Sequence, residues 1–428
     1  MWKNYFKIAI RNLSKNKLHT GINLIGLSLG LGVGVLIFFF VQFESSFDNF
    51  HVDSDQIFRI ERHEVEEGEK ITSFSTPIIT APTFESEFSQ VKYTTRMIGG
   101  AAQAYLDEET TQNQPYLLVS PDFLEIFNFK LLKGSKEYAL QDKFGVVITE
   151  KVAHKYFGDS DPMGKSMRIR MGDNYEEYQV TGLLEDLPAN SSIKFEMLMN
   201  DKNLDFSVAE QNQNSWFNVY GDTFVKLNNP EDRAAVEAGV EAMMKKVLGE
   251  SYKEGEYQFT LQPIAAMHLS ENPDTGMTES ARPSLLWILA GIAFLILFIA
   301  CINFTTMAIG RSTTRAKEVG VRKTMGADFG QLVFQFLTEA FLTTIAALVG
   351  GLILAEVLLP TFNNLFEKEL SLVYGPVQIL ILVGLVVLIT AMAGAYPAFF
   401  MSSLRPIKVL KGNLSIRFGK QALRKSLV

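Results

Sequence analysis

The sequence predicts a polytopic α-helical membrane protein, with four transmembrane helices and one large α+β domain inserted after the first of them. Three observations lead there. Only 20% of the 428 residues are charged, against roughly 25% in an ordinary soluble domain. The deficit is concentrated in four runs, each meeting the roughly 20 apolar residues that a bilayer crossing needs. The acids are segregated as well: residues 44–283 hold 22 basic and 41 acidic side chains. Together these exclude a plain soluble enzyme, a disordered chain and a small disulfide scaffold. The single cysteine, Cys301, has no partner for an internal disulfide, and five scattered histidines leave little for a zinc site.

Residues 1–20 open the chain with Lys3, Lys7, Arg11, Lys15 and Lys17 and no acid. Trp2, Tyr5, Phe6, Ala9 and Leu13 recur at helical spacing on another face. That pattern suits a cytoplasmic interfacial amphipathic helix, rings at headgroup level and lysines toward anionic lipid. A basic flank that only orients the next span would look similar. The first span is 21–43. It is too long for the apolar core of a secretory signal, and no small-x-small cleavage site follows it, so it reads as an uncleaved anchor.

The domain at 44–283 shows strand-like runs at Ile57–Arg62, Val146–Thr149, Tyr178–Gly182, Thr223–Lys226 and Tyr257–Gln262. Helix-like runs are Glu150–Phe157 and Glu231–Leu248, the second started by Pro230 with acids in its first turn. The mixture reads as α+β. A soft subdomain boundary falls near 112–145, with a return near 200–215, where the polar DKNLDFSVAEQNQNS reads as a loop.

The second span is 284–309, the third 331–359 and the fourth 376–400. They are separated by a basic loop at 310–330 and a short loop at 360–375, and followed by a basic tail at 401–428. The three basic segments, 1–20, 310–330 and 401–428, hold 17 basic and 2 acidic residues. The positive-inside rule places all three in the cytoplasm and 44–283 outside. The sequence pI of about 5.5 therefore averages two compartments and carries no implication of nucleic acid.

The chemistry-bearing motifs are few. Gly158 to Ser166 ends in Gly-Lys-Ser, but five residues separate its glycines and Pro162 sits inside. A phosphate cradle wants four and free backbone N–H groups. It reads as a turn entering a strand. His63-Glu64 has no second histidine in register, and no nucleophile–base arrangement appears. The sequence therefore predicts no enzyme activity, no metal and no cofactor in this chain.

The loop after the second span is the most informative stretch. Arg315, Glu318, Arg322 and Lys323 alternate with Val319, Val321 and Met325, and Gly326 closes it. A loop that only sets topology needs basic residues alone; the apolar positions suit a short helix docking in a partner's groove. In the membrane, Gly26, Gly30 and Gly34 repeat every four residues, the small-residue pattern that lets helices approach closely. Glu339 lies about eight residues inside the third span, and Asn303 at similar depth in the second. A carboxylate there must face protein, and an amide-to-carboxyl clasp between the two is the expectation, with Thr305 and Thr306 as nearby alternatives and Gln335 one turn away on the same helix.

These motifs resemble the MacB/FtsX-like ABC transporter permease family, also called mechanotransmission or type VII. The loop Ser312, Arg315, Glu318, Val319, Gly320, Val321, Arg322, Lys323, Gly326 and Ala327 is similar to the family's S-x-x-R-x-x-E-[IV]-G-[IV]-R-K-x-x-G-A. Ser46-Phe47-Asp48-Asn49-Phe50-His51, Phe157-Gly158 with Asp161-Pro162-Met163-Gly164-Lys165, Val180-Thr181-Gly182 with Leu187-Pro188-Ala189-Asn190-Ser191, Cys301-Ile302-Asn303-Phe304, Gly394-Ala395-Tyr396-Pro397-Ala398 and Arg405-Pro406 with Leu410-Lys411-Gly412 add to the likeness. The resemblance implies a MacB-like periplasmic core domain, a location in the inner (plasma) membrane, and a noncatalytic permease subunit. It implies a separate cytoplasmic ATP-binding subunit on the loop helix, which binds the ATP, and a second permease half or protomer. ATP-driven motion would reach the periplasmic domain for export, extraction or signalling. Leu423 to Val428 resembles the start of a second half in longer, eight-span members, so the chain is expected to be either such an N-terminal half or a four-span subunit. A membrane-anchored periplasmic sensor or scaffold is the alternative, and it would have no use for an ATPase-docking helix.

Overall fold

The computed structural model describes residues 6–11, 17–66, 69–105, 111–172, 174–206, 210–253, 257–271, 276, 278–310 and 312–403. The chain divides into two compact units: Met1–Gln42 with Leu286–Val428, and Phe43–Leu285.

The large unit is built on one sheet, to which the described residues contribute twelve strands. The main path runs β12 (Tyr257–Pro263), β1 (Ile57–Glu66), β11 (Val219–Leu227), β4 (Val91–Tyr105), β5 (Thr111–Val119), β10 (Met197–Asn200), β7 (Gly145–Thr149), β9 (Asn174–Leu184) and β6 (Leu131–Lys133). β2 (Glu69–Ser73), β3 (Ser75–Pro77) and β8 (Ser166–Met171) attach off this path. β5–β10 and β7–β9 are parallel pairs. Strands in such positions are covered on both faces, which is why β7 (GVVIT) and β10 (MLMN) are buried at every residue instead of alternating.

The soft boundary near 112–145 is not there. β4 and β5 pair without a break from Met97↔Val119 to Tyr105↔Thr111, and β5 pairs in turn with β10 on its other side. Nor is 200–215 a plain loop: Asp201–Phe206 is a 3₁₀ helix and Glu210–Gln213 a single α-turn. Asp201 and Asn203 are buried because they have fixed partners on neighbouring elements. Asn203 Nδ2 donates to the carbonyls of Lys143 (2.7 Å) and Asn200 (2.9 Å), and Asp201 takes Arg96 at 2.6 Å.

Helix α7 (Arg233–Leu248) lays Val236, Val240, Met243 and Met244 onto Phe58, Phe259 and Leu261 of the β1/β12 end. Its Glu237 Oε1 accepts the Leu261 N–H at 2.9 Å. The Gly-Lys-Ser turn is structural. Thr149 caps α5 (Glu150–Phe157), Gly158 ends it at φ 58°, and Lys165 Nζ reaches Ser160 Oγ at 2.6 Å before β8 begins. His63 bridges Thr72 and Thr260, and no metal cluster occurs among the described residues.

The other unit contains four helices long and apolar enough to cross a membrane: α2 (Lys17–Glu44), α8 (Pro283–Gly310), α10 (Phe329–Phe366) and α11 (Pro376–Ser403). A short helix, α1, covers residues 6–11 and buries Ala9. Trp2, Tyr5, Lys3, Leu13 and Lys15 lie outside the described residues. α10 runs past the expected end at 359, through Pro360 to Phe366, so most of the short 360–375 loop's first half is helical. Phe362 and Phe366 pack on Phe40 with ring centroids 5.5 and 4.9 Å away, and Asn363 brackets Leu370 by two hydrogen bonds. Those contacts hold the added turns against the break that proline would otherwise make.

Candidate functional site

The loop after α8 folds into helix α9 (Ser312–Thr324). Gly326 at φ 93° ends it, with Ala327 N–H returning to Arg322 O at 3.0 Å. Asp328 and Gln331 then form a capping box that starts α10, so the two helices meet at a sharp fixed corner.

The structure sorts the residues singled out in the sequence onto two faces where their side chains are described. Val319 is 3% exposed and packs with Leu332, Phe336, Phe400 and Met401, and Gly320 is buried beside it. Arg322 donates to Glu318 at 2.6 Å and to Gln335 on α10, and Lys323 Nζ donates to the Ser402 carbonyl of α11 at 2.5 Å. These groups anchor α9 to its own chain. Glu318, Val321 and Met325 fall at i, i+3 and i+7 on the opposite side. Met325 is 84% exposed. Arg315 lies in the helix, but its side chain is outside the described residues. That Val319 packs on its own chain was not legible in the sequence, since valine at a buried position and at a docking position reads the same. Gln335 and Ser402, which hold the helix from α10 and α11, carried no motif signal.

The glycines of α2 also divide. A Cβ on Gly30 would meet Ala300 Cβ at 3.3 Å and one on Gly34 would meet Leu297 Cδ1 at 3.2 Å, so this face packs on α8, with Gly26 opposite the Asn303 amide. The tighter approach is one face over: Gly32 lies 3.0 Å from the Gly351 carbonyl by the same measure, and Ser28 Oγ donates to Ala347 O of α10 at 3.1 Å.

The expected Asn303–Glu339 clasp is not formed as drawn. Asn303 is exposed and turned toward Gly26. Glu339 faces the bundle, where it lines a cavity with Asn23, Thr343, Phe304, Gly394 and Pro397. Equal depth along two helices does not fix rotation about them. The second span instead meets the fourth through Thr305, whose Oγ1 donates to Ala393 O at 3.1 Å. That carbonyl is the one Pro397, lacking an N–H, cannot satisfy.

In the large unit, two motifs far apart in sequence meet. Asp48, at φ 59°, accepts the Ser192 N–H at 2.8 Å, and its own N–H goes to Asn190 O at 3.0 Å. Asn190 Nδ2 returns to Ser46 O at 2.8 Å. Beside them His268 Nε2 sits 2.7 Å from Glu44 Oε2, both side chains at most 2% exposed, and Phe47 stacks on the imidazole with centroids 3.4 Å apart. Burial raises the Asp48 carboxyl above its ordinary range.

His51 closes the motif among Phe50, Phe127 and Phe129, with Nδ1 accepting the Asn128 N–H at 3.1 Å. A proton at Nδ1 would break that bond and leave a charge among rings, so burial holds its pKa down to about 4. Between pH 6.5 and 4 the unfolded chain carries a proton here that the folded chain does not. Its contribution to stability is present above pH 6.5 and is lost as pH falls, by about 3 kcal/mol at pH 4. Asp48 works the other way, because its raised pKa favours the folded state as the pH drops toward 4. His51→Gln keeps an acceptor for Asn128 and does not titrate. Its melting temperature should fall less steeply between pH 6.5 and 4.5 than that of the parent; parallel curves would refute the assignment.

Four spans, a large mixed domain and a helix clamped at one corner of the bundle define a membrane protein of the transporter-permease class. Residues 20–243 match the model for the MacB-like periplasmic core domain, and residues 290–406 that for the FtsX-like permease C-terminal domain. The chain belongs to the MacB/FtsX-like ABC transporter permease family. It is 23% identical over 423 residues to the macrolide export ATP-binding/permease protein MacB of Bdellovibrio bacteriovorus, covering 94% of this chain and 61% of that one. The ABC transporter permease YvrN of Bacillus subtilis is 23% identical over 430 residues, covering 95% of this chain and 99% of YvrN. The periplasmic region of MacB from Actinobacillus actinomycetemcomitans aligns at TM-score 0.35 and 12% identity, over 50% of this chain and 90% of that structure.

Proposed function

We propose that the chain is a noncatalytic permease subunit, with α9 as the surface on which a separate cytoplasmic ATP-binding subunit docks and delivers the motion of its ATP cycle. The observation that carries this is the two-sidedness of α9. One face is fixed to α10 and α11 through Val319, Arg322 and Lys323, and the other presents Glu318, Val321 and Met325. A push on the second face passes into two membrane helices at once. On this reading the basic segments face the cytoplasm, 44–283 lies on the periplasmic side of the inner membrane, and a second permease half or protomer completes the transporter. Export, extraction and signalling are all work such motion could do. The relative named for macrolide export joins ATP-binding and permease functions in its name, and here the ATP-binding part is assigned to a partner.

The test is a pull-down of the full chain, tagged, from its native membrane. Val321→Asp and Met325→Asp both alter the exposed face without touching Val319, Lys323 or the Glu318–Arg322 pair. Each should lower co-purifying ATPase activity about tenfold, equivalent to roughly 1.4 kcal/mol of docking energy, at normal membrane insertion. Unchanged recovery with both variants would remove α9 as the docking surface.

A further inference from the structure

The cavity beside Glu339 has a volume of about 60 Å³, and Asn23, Thr343, Gly394 and Pro397 share its wall. A single water needs roughly 10–15 Å³ and two to four polar partners. Both requirements are met here. Asn23 Oδ1 is a buried acceptor that no donor among the described residues reaches. Thr343 uses its hydroxyl proton on the Glu339 carbonyl at 2.9 Å, which leaves its oxygen lone pairs as acceptors. A buried amide oxygen without a donor and an acceptor hydroxyl on one wall call for a ligand that donates more than one hydrogen bond and fits between helices. In a cavity of this size that ligand is water.

We propose that this cavity is an intramembrane water-binding site, in which ordered water links Asn23 of α2 to Glu339 and Thr343 of α10. The direct amide-to-carboxyl clasp expected from the sequence is thereby replaced by a wet contact to a different helix. Placement matters as much as polarity. Phe336 and Met401 line the cavity and also pack against Val319 of α9, so the water lies directly behind the α9 anchor. The wall across from Glu339 is Gly394 and Pro397, where α11 has already given up one backbone hydrogen bond to Thr305. Water bonds re-form when the helices bordering it shift by a fraction of an ångström, which a direct side-chain clasp does not allow.

Thiol accessibility tests the site in the full chain, held in lipid nanodiscs. Methanethiosulfonate ethylammonium reacts with the thiolate, which forms where water reaches the sulfur. In a Cys301→Ser background, Thr343→Cys and Ala308→Cys each place a thiol on the cavity wall. Ala347→Cys in the same background, one turn beyond Thr343 in the apolar cluster, serves as the dry control, and the parent chain with Cys301 alone serves as a second. Both wall thiols should react at least tenfold faster than the controls, and adding Asn23→Leu should slow Thr343→Cys to the control rate. Either cavity position reports alone if the other variant fails to insert. Wall thiols as slow as Ala347→Cys, or an Asn23→Leu change that leaves their rate untouched, would overturn the proposal.

Discussion

Replacing His268 by alanine should cost the large domain about 1–3 kcal/mol of stability, the usual penalty for leaving a buried polar group without its hydrogen-bond partner. The geometry argues for the upper part of that range. Glu44 and His268 are 1% and 2% exposed at 2.7 Å separation, and the substitution also takes away the ring on which Phe47 stacks. Denaturant unfolding of the detergent-solubilised chain, followed by the fluorescence of buried Trp216 in the same domain, measures it. Replacing both residues, Glu44→Leu with His268→Leu, should recover part of the loss, because two apolar side chains leave no buried polar group unpaired. A single variant within about 0.5 kcal/mol of the parent, below that range, would show that the contact is not maintained.

Gly351→Leu is expected to disrupt the bundle more than any change in the Gly26, Gly30 and Gly34 row. A Cβ at Gly351 falls 2.9 Å from Leu31 Cβ, 3.0 Å from Gly32 N and 3.1 Å from Ser28 O. Two of those three neighbours are backbone, which cannot rotate aside. At Gly30 the nearest neighbour is a side-chain methyl at 3.3 Å. Overpacking of a well-fitted core costs about 1–3 kcal/mol, and leucine against backbone should reach or pass the upper figure. Gly30→Ala should stay near the lower one. Cysteine cross-linking between α2 and α10 reads this directly: efficiency should collapse in Gly351→Leu and persist in Gly30→Ala. Equal efficiency in both would mean that the close approach of the two helices is not what holds them.

What could be read from the sequence follows the range of the interactions. The spans were legible because hydropathy is a local property summed over 20 neighbours. α5 was legible end to end because Thr149, the apolar Val152–Ala153 pair and Gly158 all lie within ten residues. The meeting of Ser46–His51 with Asn190–Ser192 was not, since 144 residues separate Ser46 from Asn190 and neither stretch has a periodicity that names its partner. In the membrane the sequence fixes depth by counting residues, but rotation comes from which neighbour packs where. Hence Glu339 was correctly turned inward while its partner was not correctly chosen, and Gly32 was passed over for the regular repeat beside it. On α9 the residue types were informative, yet the split between anchor and exposed face depended on Leu332, Phe336 and Met401, which lie on other helices.

The ends of the large sheet bear on how this domain can associate with anything else. An unprotected edge strand recruits further strands by main-chain pairing, a route open to almost any extended peptide. At β12 the outward Leu261 N–H is already taken by Glu237 of the covering helix, and at the far end β6 is only three residues long. Growth of the sheet by templating, whether with a second copy or with an unrelated chain, is blunted at both margins. Recognition is left to side chains on faces and loops, where it can be selective. The domain thus keeps the two ends of its main strand path from serving as templates for further strands.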